Sequence, residues 1–283
     1  MGEELTQLPK GKGLILEEKI YPDYSDVNSH GDIIVKEDRG NIEIINQTGE
    51  SKVVKLPEPE PIVVEGKVVK QRISSLAVDK NNNVYVVRWV RTSTENGYVE
   101  SYVLTVLDEN YNVKQDSRTL EFLDTSWYDV KIAINKNNNI IMMKGNDLQV
   151  YVCDNTGELK HKFERSSRFA RSLGISGQDE IMIPLDGDRA VEIYSEEGNL
   201  KSTIKLPEGH EVRGLAFHYV ICKIIVLTYV QKKYSYFLLC YSEAGELETT
   251  TLFSKIGDGY RPKIRSHPSG PVAIVRVETI TFL

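Results

Sequence analysis

The stretch Leu76-Ala77-Val78-Asp79-Lys80-Asn81-Asn82-Asn83-Val84-Tyr85-Val86-Val87 decides the fold of this chain, because it recurs. It reads as an apolar strand, a short polar turn and a second strand rich in Val and Ile. A near copy follows as Ile132-Ala133-Ile134-Asn135-Lys136-Asn137-Asn138-Asn139-Ile140-Ile141-Met142-Met143. An earlier copy runs from Asp26 through the turn Asn28-Ser29-His30-Gly31 to Ile33-Ile34-Val35. Three further copies join Leu173-Gly174-Ile175 to Ile181-Met182-Ile183, Leu215-Ala216-Phe217 to Ile224-Ile225-Val226, and Ile264-Arg265-Ser266 to Val272-Ala273-Ile274-Val275. Self-similarity at periods of this size marks a repeat architecture, in which each unit buries its apolar face only against its neighbours.

Working outward from these copies, a second hairpin follows most of them. Its turns are Asn46-Gln47-Thr48-Gly49-Glu50, Asp154-Asn155-Thr156-Gly157-Glu158, Ser195-Glu196-Glu197-Gly198-Asn199 and Ser242-Glu243-Ala244-Gly245-Glu246, with Asp108-Glu109-Asn110-Tyr111-Asn112 lacking glycine. Gly, or Asn nearby, supplies the positive φ that such hairpins require. Two hairpins make four strands, and the anchors Val27, Val78, Ile134, Ile175, Phe217 and Ile264 are spaced by 51, 56, 41, 42 and 47 residues. Four-stranded propeller blades take about 40 to 50 residues each. The expectation is an all-β, six-bladed β-propeller of antiparallel four-stranded blades occupying residues 1–283 as one domain. The last unit lacks a fourth strand, and a spare strand at residues 14–20 precedes the first unit. Pairing the two in one composite blade closes the ring and removes a sheet edge. The uneven spacings place insertions in loops, at Pro57 to Lys67 and at Arg88 to Tyr98.

Composition agrees with a globular chain that buries a large core: 40% hydrophobic and 27% charged residues, with a net charge of −6. That charge argues against a strongly basic nucleic-acid binder, though it says nothing of one local face. No secretory signal is visible, no run is long enough to span a membrane, and Cys153, Cys222 and Cys240 share no metal spacing. The cysteines read as reduced core or half-core residues of a cytoplasmic protein, and no cofactor motif or membrane partner is expected.

Asn146-Asp147-Leu148 before Gln149-Val150-Tyr151-Val152, and Asn41-Ile42-Glu43-Ile44-Ile45 in the first unit, stand where a third strand opens. In this pattern the chain resembles the NHL-repeat six-bladed propellers, such as the C-terminal domains of TRIM-type (TRIM-NHL) proteins. No copy carries the family's histidine, and blade 4 has Asp188-Arg189-Ala190-Val191 instead. The Gly-His and Trp-Asp marks of WD40 blades are absent. The resemblance implies a non-catalytic platform for a protein or peptide partner, or for RNA, cut from a larger chain with RING, B-box or coiled-coil parts; the propeller itself is expected to be a monomer.

In a propeller the second-to-third-strand loops and the inter-blade loops share one face, termed the loop face; the other hairpin turns share the turn face. Sorting by topology puts Arg39, Arg88, Arg91, Lys144, Arg165, Arg168, Arg171, Arg189, Arg213 and Arg261 on the loop face, with Phe169 inside the densest basic stretch, Arg165 to Arg171. Arginine forks onto carboxylates and phosphates, so these residues are the expected partner-binding set. The competing reading is a neutralised face, because Asp38, Asp124, Asp147, Asp186, Asp188 and Asp258 lie among them. Protein is preferred to RNA because an acidic chain gains less from phosphate contacts. Catalysis has little support: there is no nucleophile elbow, phosphate loop or zincin motif. Asp79-Lys80-Asn81-Asn82-Asn83 has oxygen ligands at alternate positions but lacks the Gly and distant Glu of a calcium loop, so it reads as a turn. A third reading is a calcium-dependent lactonase-like hydrolase, since six-bladed propellers include such enzymes with ligands lining the central channel.

Overall fold

The computed structural model describes residues 13–37, 40–59, 66–126, 129–145, 147–167, 170, 172–185, 189–255 and 262–283. Six four-stranded antiparallel sheets form the chain. Five are built from consecutive strands. In the sixth, Gly13–Ile15 lies beside Thr279–Phe282, followed inward by Val272–Val275 and Lys263–Ser266. The seam pairs Gly13 with Thr281, Leu14 with Ile280 and Ile15 with Thr279. The closing strand is shorter than the 14–20 expected, but Leu16 and Ile20 still donate backbone N–H groups to Glu278 and Val277 at 2.9 Å.

Packing follows from the pleat. Each sheet buries both faces against its neighbours, which is why the second strands read as unbroken apolar runs such as Ile181–Leu185 and Val272–Val275. Six apolar clusters result, one at each junction between successive blades. Ile33, Ile34, Val84, Ile141, Met142, Ile183, Ile225, Ile274 and Ile280 have no exposed area, and each such side chain contributes roughly 1.5–3 kcal/mol on burial.

The turns repeat with their geometry. Between inner and second strands, the fourth turn residue is left-handed in all six blades: Gly31, Asn82, Asn138, Asp179, Cys222 and Gly270. In the glycine-free hairpin the positive φ of 66° falls on Tyr111, not on an asparagine. A left-handed non-glycine residue costs roughly 1–2 kcal/mol. Tyr111 offsets this by packing on the cluster between blades 1 and 2, while its hydroxyl accepts a hydrogen bond from Asn28 Nδ2 at 3.3 Å.

Two expectations need correction. Arg88 to Tyr98 is not a loop insertion: it lengthens the second and third strands of blade 2 to Val84–Thr94 and Gly97–Leu107, alongside a twelve-residue inner strand, Lys67–Val78. The β-rich residues Val90, Thr92 and Val99 hold this extension in register, with Arg91 opposite Glu100 and Ser93 opposite Tyr98. The second strand has eleven residues against five in blade 3, so a three-stranded wall stands roughly 20 Å above the loop face. Cys222 is exposed in its turn, whereas Cys153 and Cys240 are buried.

Candidate functional site

The inner strands run from the loop face toward the axis, and their first residues surround the mouth of a central channel. About 800 Å3 of atom-free space, the open mouth included, is lined by residues of all six blades. At the far end Pro268 and Tyr219 line it. There the inner turns interlock: Ser29 N–H donates to Asn82 Oδ1 and Lys136 N–H to Asp179 Oδ1, each at 2.8 Å, while His267 Nε2 meets the Asp79 carbonyl at 2.8 Å. The Asp79 carboxylate is committed to its own turn, accepting the N–H groups of Asn81 and Asn83 at 2.8 and 2.9 Å. Among the described residues no cluster of His, Cys, Asp or Glu converges as a metal site.

The mouth is charged. A short 3-10 turn, Pro22–Tyr24, precedes the inner strand Ser25–Val27 of blade 1 and sets Asp23 at the rim, with Asp26 one turn of chain deeper. Blade 6 supplies Lys263 and Arg265 from Lys263–Ser266, and blade 3 supplies Lys131 from Val130–Ile134. Lys263 Nζ lies 2.8 Å from Asp23 Oδ1. Arg265 donates to the Ser25 and Ile264 carbonyls and, at 3.4 Å, to that of Asp23, tying blade 6 to blade 1. Asp26 accepts the Val78 N–H at 2.7 Å and the Val27 N–H at 2.9 Å, tying blade 1 to blade 2. Lys131 Nζ sits 5.8 Å from the centre of the Tyr24 ring, whose hydroxyl donates to Asp129 Oδ1 at 3.1 Å.

Burial controls the charge states here. It raises the Asp26 carboxyl to about 6, against the pull of Arg265 and the two N–H donors. It lowers Lys263 to about 8, with Asp23 opposing and Arg265 and Lys131 adding to the fall. Lys131 is lowered for the same reason, with Asp129 and Asp23 opposing. For Asp23, burial acts upward, but Lys263 together with Lys131 and Arg265 holds the carboxyl below its ordinary range.

Beside the mouth rises the wall of blade 2. Arg72 and Arg91 both lie over the buried Trp89 ring, 5.5 and 5.1 Å from its centre, and Arg91 also lies 5.4 Å from the Tyr98 ring, which is 67% exposed. Lys70 is exposed opposite Arg91. Arg72 in turn feels the Tyr24 phenol at the channel rim. Lys131 with Tyr24 at the mouth, and Arg72 and Arg91 with Trp89 and Tyr98 on the wall, therefore form two groups of cations and aromatic rings.

The residues expected from sequence fare differently. Arg91 lies on the wall, paired with Glu100 at 2.8 Å, and Arg189 is exposed, its backbone left-handed and its carbonyl capping Leu206. Arg88, Lys144 and Arg165 are corrections: all three are buried and spent on the protein itself. Arg88 donates to the Pro57 carbonyl, Gln71, Thr105 and Ser117 at 2.6–3.2 Å. Lys144 bonds Ser126 Oγ at 2.9 Å and pairs with Asp124 at 3.3 Å. Arg165 donates to the Lys144 and Asp147 carbonyls at 3.0 and 2.6 Å. Loop carbonyls that no strand reaches must find donors, and a long multi-donor side chain supplies them. Arg213 is largely buried against Glu211 at 2.6 Å and the Tyr229 ring. Arg39, Arg168, Phe169, Arg171 and Arg261 lie outside the described residues.

Asp23, Asp26, Lys131, Lys263 and Arg265 were missing from the expected set. A partial signal is a charged residue inside an inner strand, as in Val130-Lys131-Ile132 or Ile264-Arg265-Ser266, although Arg72 and Arg213 on other inner strands pack on Trp89 and Tyr229 instead of the channel.

With this geometry, comparison with solved structures gives fold-level neighbours. Virginiamycin B lyase from Staphylococcus aureus is 12% identical, with a TM-score of 0.60 over 96% of this chain and 97% of that one. A streptogramin B lyase is 12% identical at a TM-score of 0.61, covering 96% of each chain. A chain of the mitotic checkpoint complex is 13% identical at 0.59, covering 100% of this chain and 95% of that one. No protein-family model matches the chain, and no curated protein does. At such identities the likeness is one of fold. It still overturns the expectation of a non-catalytic protein, since two of these neighbours are enzymes built on the same propeller over nearly their whole length. Their chemistry is their own, and His267 here is fully buried in the turn-face lock. Among the described residues no helix is long and apolar enough to cross a membrane.

Proposed function

We propose that the loop face binds an acidic, extended segment of a partner protein, laid along the blade 2 wall with its end at the channel mouth. The observation that carries this reading is the pair of cation–ring groups at the mouth and on the wall, Lys131 with Tyr24, and Arg72 and Arg91 with Trp89 and Tyr98. Arginines held over aromatic rings are oriented before the ligand arrives, so less side-chain entropy is lost on binding. Lys131 forms no salt bridge among the described residues, and its ammonium is disfavoured by burial, a state that an incoming carboxylate relieves. The resemblance to NHL-repeat propellers supports the same reading, as does a neighbour drawn from a multiprotein complex.

Fluorescence anisotropy with a labelled Glu/Asp-rich decapeptide tests it. The acidic peptide binds, a Lys-rich one of the same length does not, and affinity falls steeply with salt. Lys131→Glu combined with Arg91→Glu weakens binding at least tenfold. Equal binding of both peptides, or no effect of the double variant, refutes the reading. Tight binding of single-stranded RNA that the same variant abolishes replaces the peptide by RNA.

A further inference from the structure

The channel gathers two amines and a guanidinium around two carboxylates, Asp23 at the rim and Asp26 deeper beside Arg265. Lys263, from blade 6, has a side chain only 8% exposed, while its partner Asp23 is 50% exposed and reaches the mouth. Lys131, from blade 3, and Arg265, below Lys263 on the same strand, share Asp23 in their electrostatic surroundings. Ile132, Ile134, Leu215 and Ile264 line the walls together with Ser75, Ser172 and Ser266, and the exposed lining is more polar than apolar.

We infer that this channel captures a small oxo acid as an imine on Lys263, with the acid's carboxylate drawn to Lys131 and Arg265. The inference does not rest on the acidic-partner reading, since it uses only groups inside the channel. The neutral Nζ adds to the carbonyl carbon, forming the C–N bond as the carbonyl π pair moves to oxygen and takes up a proton. The nitrogen loses its first proton to give the carbinolamine; the hydroxyl then takes up a second proton and leaves as water while the nitrogen lone pair closes the C=N bond and the nitrogen gives up its second proton. Amine plus carbonyl gives imine plus water, with no oxidant or reductant. Asp23, 2.8 Å from Nζ and open to solvent, is placed to relay the protons.

Attack needs the free amine. Burial, with Arg265 and Lys131 adding like charge, brings Lys263 to about 8 although Asp23 opposes. At neutral pH about a tenth of it is then free base, against less than about a thousandth for an ordinary lysine. Among the described residues Tyr24, Arg72, Asp129 and Asp26 are further ionisable groups at the mouth; burial keeps Tyr24 protonated, and Asp26 is ionised above about 6.

The test treats the full chain with glyoxylate and cyanoborohydride, which reduces an imine to a stable amine, and maps adducts by peptide mass spectrometry. Lys263 labels at least tenfold faster than the exposed Lys52 and Lys80, and its rate levels off above about pH 8 while theirs keeps rising. Acetaldehyde, lacking the carboxylate, loses most of this preference. Lys263→Arg, which keeps the charge beside Asp23, removes the fast adduct only. Labelling of wild-type Lys263 no faster than Lys52 overturns the inference without reliance on any variant, as does fast labelling confined to Lys131. Equal preference for acetaldehyde overturns the assignment of an acid.

Discussion

Replacing Asp26 by asparagine isolates the electrostatic cost of the channel. Asp26 has an ordinary carboxyl value of 3.8 in the unfolded chain and about 6 in the folded protein, where burial disfavours the charge. Below about pH 3.8 both states hold the proton and the group leaves stability unchanged. Between the two values the unfolded chain ionises while the folded protein keeps its proton, so stability falls as pH rises; above about 6 both are ionised and the loss is constant. The full loss is about 3 kcal/mol, of which about 1 is already present near pH 4.5. The amide of the Asp26→Asn variant cannot titrate, and it accepts only through its carbonyl, so one of the Val78 and Val27 N–H groups loses its acceptor at a cost of about 1–3 kcal/mol at every pH. The difference between Asp26→Asn and wild type should therefore shift in favour of the variant by about 2 kcal/mol between about pH 4.5 and 7.5. Urea denaturation of both proteins at the two pH values measures it. A difference that stays constant across that range refutes the claim that burial sets the Asp26 charge.

Two further outcomes follow from packing and hydrogen bonding. Ile280→Ala removes a fully buried side chain at the seam opposite Leu14 and should destabilise by about 2–5 kcal/mol, seen as a lowered melting temperature, whereas Ile15→Ala, at a position 81% exposed, should change stability by less than about 0.5 kcal/mol. Arg88→Met should lower stability by about 2–3 kcal/mol in urea titrations, since it leaves the Pro57 carbonyl, Gln71 and Thr105 without their donor, while leaving acidic-peptide affinity within twofold of wild type.

The contrast between Arg88 and Arg91 shows why the blade count was legible in the sequence and the site was not. Both arginines belong to one strand, three residues apart, and both were assigned to the same face. A strand alternates its faces, so Arg88 turns into the protein toward Gln71, Thr105 and the Pro57 carbonyl, while Arg91 turns toward Trp89 and Tyr98. Topology assigns a residue to an end of a strand; only packing decides whether its side chain leaves the protein or is consumed by it. The same limit hid Lys263 and Asp23, which are 240 residues apart in sequence and 2.8 Å apart in space.

The enzyme question divides in the same way. Absent sequence motifs argued against catalysis, because motifs record local spacing. A propeller assembles its channel from six strands spread over the whole chain, so neighbouring charges there leave no local spacing to read.

Periodicity alone determined the number of blades and the turn positions, because the strands of the five continuous blades lie within about 50 positions of one another, and the closing seam followed from one strand missing at the end and one spare at the start. The wall, the burial of Arg88, Lys144 and Arg165, and the cluster of Lys131, Lys263, Arg265, Asp23 and Asp26 came only from the assembled ring. Ring closure brings blades 1, 3 and 6 to one axis, and the energies that govern a charge depend on distance and burial there, not on position along the chain.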